Sequence, residues 1–491
     1  MAGKHLAGRL PKDQGLAMYL LFATGGVCLA VEPSIDQTSC PLCFCGDIPR
    51  PLDEKTLRQK LTPLTFSPQT PMKHGTVSLL LLSACLLSSS LGETVIKVLH
   101  IQKLPQVRAI WQEAADQYQK AHPGVRVQFD YLENEAFKAK LPTLLQSKDR
   151  PSVFHSWGGG VMVEQVSSGV CQDITKAVES DGFKDTFYPA GIQNFTVDGK
   201  IYGLPNDIGP IVFWYNKELC QKAGVDPTQI HDWDDFLAAV KKLQAAGITP
   251  IAAGGKDKWP LHFYPAMLMM RILGKDAMNA ICAGKNGGMA NPDVVKAFQL
   301  YKELAALQPF QKGFLAATYP DAAGTFHDGK TAFHLMGTWD VTEGRTDATD
   351  GKGLPDEKLG WFNFPEVKGG KGKANDIFAS VNGWLVVSDA PKETVDFMKV
   401  WLGKDIQTKL AAAGWGIPMV KGTADVIQSP FFKAIAQEVS ESNWIGIAMD
   451  QLLGPDTGRV FNDESAAVAA GSASAEDATK AIESSFEQNK P

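Results

Sequence analysis

The chain has 491 residues, 44% of them hydrophobic and 21% charged, with a net charge of −6. That length exceeds what one hydrophobic core organises and calls for two domains or one large two-lobed domain, while the acidic balance supplies no electrostatic footprint for nucleic acid. Of the eight cysteines, Cys171, Cys220 and Cys282 alone follow residue 93, so at most one intrachain disulfide can form there and redox chemistry does not organise the fold.

Residues 1–71 hold an apolar run, Leu16–Val31, and the cluster Cys40-Pro-Leu-Cys43-Phe-Cys45, which has no second cysteine or histidine pair at metal spacing. We read 1–71 as a non-native or disordered extension. Residues 72–92 read as a secretory signal peptide. Met72 is followed by Lys73 and His74, then by an apolar run over 77–87, then by small residues placed for a cut after Gly92. Two alternatives stand beside this: a buried helix, and a lipobox-like Leu82-Ser83-Ala84-Cys85 in which Cys85 would carry a lipid.

From Thr94 a folded pattern begins. Val95–Ile101 reads as a buried strand. Val107, Ile110, Trp111, Ala114, Tyr118 and Ala121 share one helical face, stopped by Pro123-Gly124. Val125, Val127, Phe129 and Tyr131 alternate as a second strand, Phe137–Ser147 forms a helix kinked at Pro142, and Ser152–Phe154 is a third strand. Strand–helix–strand–helix–strand predicts a parallel sheet with crossover helices, whose loops are where open α/β sheets bind ligands. Residues 233–307 read as mostly helical. Asp232 caps one helix with Asp235 at N3, and Pro292 opens another. Strands return at 331–336, 359–364 and 383–388. Helices follow at 391–402, 404–413 and 475–488, with an exposed Ala/Ser-rich stretch at 466–478.

No Gly-x-Ser-x-Gly elbow, Walker loop or His-Glu-x-x-His is present, so no catalytic residue, metal or cofactor is signalled. His327 and His334 read as scattered surface histidines. The eleven tryptophans are more informative. Trp111, Trp233 and Trp401 fall on apolar helical faces and read as core. Trp157, Trp259, Trp339, Trp384 and Trp415 stand at segment ends beside glycine, asparagine, aspartate or lysine. That pairing suits a sugar, whose C–H face stacks on an indole and whose hydroxyl edge wants planar donors and acceptors.

Seven stretches in order carry a resemblance: Pro151–Trp157, Asp198-Gly-Lys-Ile-Tyr-Gly-Leu-Pro205, Phe213-Trp-Tyr-Asn-Lys217, Asp232-Trp-Asp-Asp-Phe236, Phe326–Phe333 with Gly337-Thr-Trp339, Asn382–Ser388, and Gly416-Ile-Pro418. Together they resemble the carbohydrate-binding, maltose-type family 1 of extracellular solute-binding proteins that serve ABC importers. Two positions depart from that pattern: Ser152 stands where an Asp is usual, and His100–Lys103 stand where many relatives carry an aromatic. The resemblance implies an α/β, two-lobed periplasmic-binding-protein fold (type II) over 93–490, closing on its ligand by hinge motion. We place lobe 1 at 93–205 plus 330–380 and lobe 2 at 210–325 plus 385–490. The implied function is sugar binding in the periplasm, or outside a membrane on a Cys85 tether, by a monomer that delivers to membrane permease subunits. Trp157, Trp339 and Trp415, with Trp259 and Trp384 behind them, are the stacking candidates. His155, Asn206, Asp207, Lys256 and Asn382 are the hydroxyl contacts. The alternatives are a same-fold binder of a polyamine or glycerol phosphate, and a secreted carbohydrate-active enzyme.

Overall fold

The computed structural model describes residues 93–489 and two short strands, Phe22–Ala23 and Gly26–Val27, that pair antiparallel. These two strands fall in the first of two units into which the chain divides, at 1–85 and 86–491. The extension at 1–71, the export signal at 72–92 and Cys85 otherwise lie outside the described residues.

The first strand–helix units form as their periodicity dictates. β1 (Thr94–His100) pairs in parallel with β2 (Val125–Tyr131) and with β3 (Val153–Ser156). α1 (Pro105–Ala121) opens with Pro at its first position and buries Val107, Trp111, Ala114 and Tyr118. α2 (Asn134–Leu145) starts where the Glu133 carboxylate accepts from the N–H groups of Glu135 and Ala136. α3 (Gly159–Ser167) follows the glycine run, with Gly158 in a left-handed conformation that a side chain would strain.

The chain then enters β4 (Gly203–Asn216), fourteen residues long and nearly all buried. α4 (Trp233–Ala245) carries the expected capping box between Asp232 and Asp235. β5 (Thr249–Ala252) is a strand inside the region expected to be helical; four residues are too few for periodicity to reveal. α5 (Trp259–Cys282), α6 (Pro292–Ala306), α7 (Tyr319–His327), β6 (Thr331–Gly337), β7 (Leu359–Phe362) and β8 (Ile377–Val386) follow. After them come α8 (Thr394–Trp401), α9 (Lys404–Ala412), β9 (Ile417–Pro418), α10 (Pro430–Glu441), β10 (Ile445–Ile447), α11 (Pro455–Ala469) and α12 (Ala475–Gln488).

The ten strands run β2-β1-β3-β8-β4-β6-β5, with β7 and β9 also on β4 and β10 on β8. The long strands β4 and β8 are shared. Gly203–Asp207 and Gly383–Val386 pair beside β3, whereas Ile211–Asn216 pairs with β6 and β7. This corrects the lobe assignment. Residues 331–337 hydrogen-bond to β4 and β5 and belong with the second lobe. Residues 384–420 belong with the first, because Trp384, Phe397, Trp401, Leu410 and Val420 share one core with Ile96, Val107 and Trp111, and α8 and α9 pack on α1. Sequence order suggests that late strands and late helices stay together. Strand pairing decides otherwise.

Two further expectations change. Around the Ala/Ser-rich stretch, Val468, Ala475 and Ala478 are buried where α11 and α12 pack on each other and on α6. His327 and His334 are both buried, not surface groups. Among the described residues no helix is long and apolar enough to cross a membrane, and no group of three or more histidine, cysteine or acidic side chains is arranged to hold a metal ion.

Candidate functional site

The two lobes meet at a cavity of about 170 Å³, floored by β4 and β8 and walled by aromatic rings. The floor follows from one irregularity. Asn382 opposes Asp207, but the next residue, Gly383, opposes Pro205, so Asn206 is an extra residue on β4. Such a bulge twists its strand and re-aims the neighbouring side chains. Asn206 and Asp207 are both buried and both reach the cavity. Asp207 accepts from Asn206 Nδ2 and from Asn382 Nδ2, each at 2.9 Å. Gln407 Nε2 donates to Asn206 Oδ1 at 3.4 Å, and Ser380 Oγ to Asn382 Oδ1 at 3.4 Å. Burial pushes the Asp207 carboxyl up to about 7, against the pull of the two amide donors. At neutral pH that group is poised both to accept and to donate a hydrogen bond.

The first-lobe wall is built from Trp157, His155 and Trp415. Trp157 leaves the end of β3 and lies edge-on to His155 (4.6 Å between centroids) and Phe137 (5.9 Å). Burial, then His100 and Lys138, lowers the His155 pKa to about 3 and keeps the ring uncharged. Its Nε2 has no hydrogen-bond partner among the described residues. Trp415 reaches the cavity from the turn before β9, edge-on to Trp111 at 6.4 Å.

The second-lobe wall is Trp259, Tyr319 and Trp339. Trp259 is the first residue of α5. Its ring lies 5.3 Å from Tyr319 and 6.4 Å from Trp339. Trp339 sits in a seat of two glycines: a Cβ on Gly209 would stand 2.8 Å from its ring, and one on Gly337 at 2.0 Å. The indole can lie there because neither position carries a side chain. Behind it, His334 Nδ1 stands 3.0 Å from Asp340 Oδ2, and His327 Nε2 is 2.9 Å from the Asp340 carbonyl oxygen. Burial acts to raise the Asp340 carboxyl, but the two histidines outweigh it and hold the group well below the usual range.

Nine of the ten residues expected from the sequence line this one cavity; Lys256 does not. Lys256 is exposed, and its backbone N–H donates to Ala317 outside the site. Trp384 touches the cavity wall but is 1% exposed and packs at 4.4 Å on Trp401, so neither face of its indole is free for stacking. Sequence reasoning missed Lys138, Gln102, Tyr319, Glu343 and Asp450, which also line the cavity. Glu343 follows the Gly337-Thr-Trp339 stretch by four residues and is pushed up to about 7, chiefly by burial and further by Asp207 and Asp347, against Lys103 and Gln102. Lys138 carries no local signal, because a lysine on the outer face of an amphipathic helix is ordinary.

The family model described as bacterial extracellular solute-binding protein matches residues 103–408, more than half of the chain. An uncharacterised ABC transporter extracellular-binding protein of Pyrococcus horikoshii is 27% identical over 262 residues, 52% of this chain and 57% of that protein. The multiple sugar-binding protein of Streptococcus mutans is 22% identical over 316 residues, 62% of this chain and 71% of the relative. The chain spans about half the length of the first curated relatives it matches. Among solved structures, a chitin oligosaccharide binding protein superposes with a TM-score of 0.73 at 23% identity, covering 81% of this chain and 99% of that one, which establishes the two-lobed fold. The chain belongs to the family of bacterial extracellular solute-binding proteins.

Proposed function

We propose that the protein binds a neutral sugar in the cleft between its lobes, outside the cytoplasm, and presents it as a monomer to the permease of an ABC importer. The observation that carries this reading is the cavity's composition. Partly exposed indoles of Trp157, Trp339 and Trp415 stand around a floor of Asp207, Asn206 and Asn382. A pyranose offers an apolar face to the first set and hydroxyls to the second. Buried His155 Nε2 and Trp259 Nε1, without partners among the described residues, are further groups for hydroxyls to satisfy. The volume also fits. A cavity of about 150 Å³ holds one benzene ring, so about 170 Å³ encloses roughly one sugar ring in this conformation. Similarity to a multiple sugar-binding protein and a chitin oligosaccharide binding protein supports the ligand class.

The cavity's charge opposes the glycerol phosphate alternative. Among the described residues its lining holds the carboxyl groups of Asp207, Glu343 and Asp450 against the single ammonium of Lys138. A doubly charged anion has no cluster of cations to receive it. Asp207, engaged by two amides, is a hydrogen-bond partner for a sugar hydroxyl. Incubation with xylo-, arabino- and chito-oligosaccharides should give no hydrolysis products.

A ligand screen by thermal unfolding tests the function. A ligand at a hundred times its Kd stabilises the folded state by about 2.7 kcal/mol, so a true sugar ligand should raise the melting temperature by several degrees. A screen of neutral mono- and oligosaccharides with no shift, beside a clear shift with glycerol 3-phosphate, overturns the reading.

A further inference from the structure

Lys138 is the one Lys or Arg among the described residues lining the cavity. It leaves α2 in the first lobe, and its ammonium lies 5.5 Å from the ring centroid of Trp157 and 5.5 Å from that of Trp259. Both distances fall within the range in which an indole face attracts a cation. Trp157 belongs to the first lobe and Trp259 to the second, so the ammonium bridges the cleft. Glu135 Oε1 accepts from it at 3.2 Å and also from Asn134 Nδ2 at 2.6 Å. On the second lobe, Asp257 accepts from the Tyr319 N–H at 2.6 Å. Burial raises the Asp257 carboxyl, Glu135 and Glu133 add to this, and Lys138 works against it, so the lysine's charge reaches both lobes. Burial lowers the pKa of the nearby His155 ring to about 3, which keeps it uncharged, and acts in the same direction on His262.

Two indole faces with a carboxylate at hydrogen-bond distance make a receptor for an organic cation, and in this protein the chain's own ammonium occupies it. We propose that Lys138 is a built-in counter-cation that fills the Trp157–Trp259–Glu135 cage and so restricts the cleft to uncharged ligands. The inference rests on the cleft being the ligand site. It identifies what separates a sugar receptor from a polyamine receptor built on the same aromatic walls: the cage is already filled. A spermidine ammonium would have to displace Lys138 and would meet its charge. A neutral pyranose leaves Lys138 in place, with donors free for its hydroxyls.

The test is titration calorimetry with spermidine, at fixed salt, on the wild-type chain, Lys138→Met, Lys138→Arg and the double variant Lys138→Met/Trp259→Leu. Lys138→Met keeps the stem's bulk and removes the charge. It should bind spermidine about tenfold or more tighter than wild type. Lys138→Arg should stay at the wild-type value. The double variant should lose the gain, because half of the cage is gone. Equal spermidine affinity in wild type and Lys138→Met overturns the proposal. So does a gain that survives loss of Trp259, which would reduce the effect to net charge. If Lys138→Met unfolds, Lys138→Gln is titrated against the same expectations. The sugar reading is scored separately, on the wild-type chain with neutral oligosaccharides, so failure of one is distinguishable from failure of the other.

Discussion

Two groups of tryptophans face each other across a few ångströms of the first lobe, and they do different work. Trp111, Trp384 and Trp401 form a closed aromatic cluster, edge-on or tilted at 4.4–5.5 Å, each no more than 2% exposed. Trp157 and Trp415 stand at the rim of the same lobe, partly exposed and lining the cavity; Trp339 answers them from across the cleft. The residue type is the same, and Trp384 shares the glycine and asparagine context of the open group. What separates the groups is whether a neighbouring element covers the second face of the indole. Helix α8 does so for Trp384 through Trp401, whereas the described residues leave Trp339 partly exposed at the cavity.

The largest effect should come from breaking the covered group. Trp401→Ala empties the centre of the cluster and should cost about 3–5 kcal/mol of stability, read as a lower denaturant midpoint, with sugar affinity of the surviving folded protein little changed. The next largest should come from the open group. Trp339→Ala should weaken sugar binding by about tenfold to a hundredfold, measured by calorimetry, while the melting temperature stays within a few degrees of wild type. Reversal of these two outcomes, stability lost at Trp339 and affinity at Trp401, would dissolve the distinction between the groups.

The comparison also explains what the sequence could reveal. The parallel β1–β3 units, the Asp232 capping box and the helix opened at Pro292 were legible because each is local, resting on periodicity or a cap within a few residues. The cleft floor was legible through the resemblance at Gly203–Pro205 and Asn382–Gly383, beside which Asp207 and Asn382 stand opposite each other on paired antiparallel strands. What was not legible depends on pairing between distant segments. Residues 384–420 return to the first lobe because β8 pairs with β3, and no local signal announces this. Trp384 looked like an open indole for the same reason: its cover, Trp401, comes from the following helix. The chemistry of Lys256 suited the site as well as that of Lys138. Only the fold puts Lys138 between two indoles and leaves Lys256 in solvent.

A buried carboxyl at the floor marks a second contrast, between what stabilises the molecule and what serves its ligand. Asp207 has a folded pKa of about 7, above an unfolded value of about 3.9. The folded chain therefore holds a proton that the unfolded chain releases. The associated stability is fully present below about pH 4, falls as pH rises toward 7, and is level beyond. Asp207→Asn should flatten that slope in melting temperature against pH between 4 and 8. At pH 8 it should be as stable as wild type or more so, by on the order of 1–3 kcal/mol, while binding sugar more weakly. Glu343 contributes a slope of the same sign, so flattening should be partial. Parallel pH curves for the two proteins would remove Asp207 as the cause.

The smallest expected effect bears most directly on why Trp339 is open on one face and held on the other. Its ring rests against Gly209 of β4, where a Cβ would stand 2.8 Å from two ring carbons. Real Cβ atoms do not approach that closely, and the strand beneath is held by β8 at Gly209 itself and by β9 and β6 at Ile208 and Ile211 on either side of it, so the indole must move rather than the backbone. Gly209→Ala should therefore push Trp339 into the cavity and weaken sugar binding by about threefold to tenfold, with a small loss of stability. A double-mutant cycle isolates the cause. In the Trp339→Ala background the same Gly209→Ala change should cost no further affinity, because no ring is left to displace. An undiminished loss in that background would mean that Gly209 acts on the cleft through the strand and not through the indole.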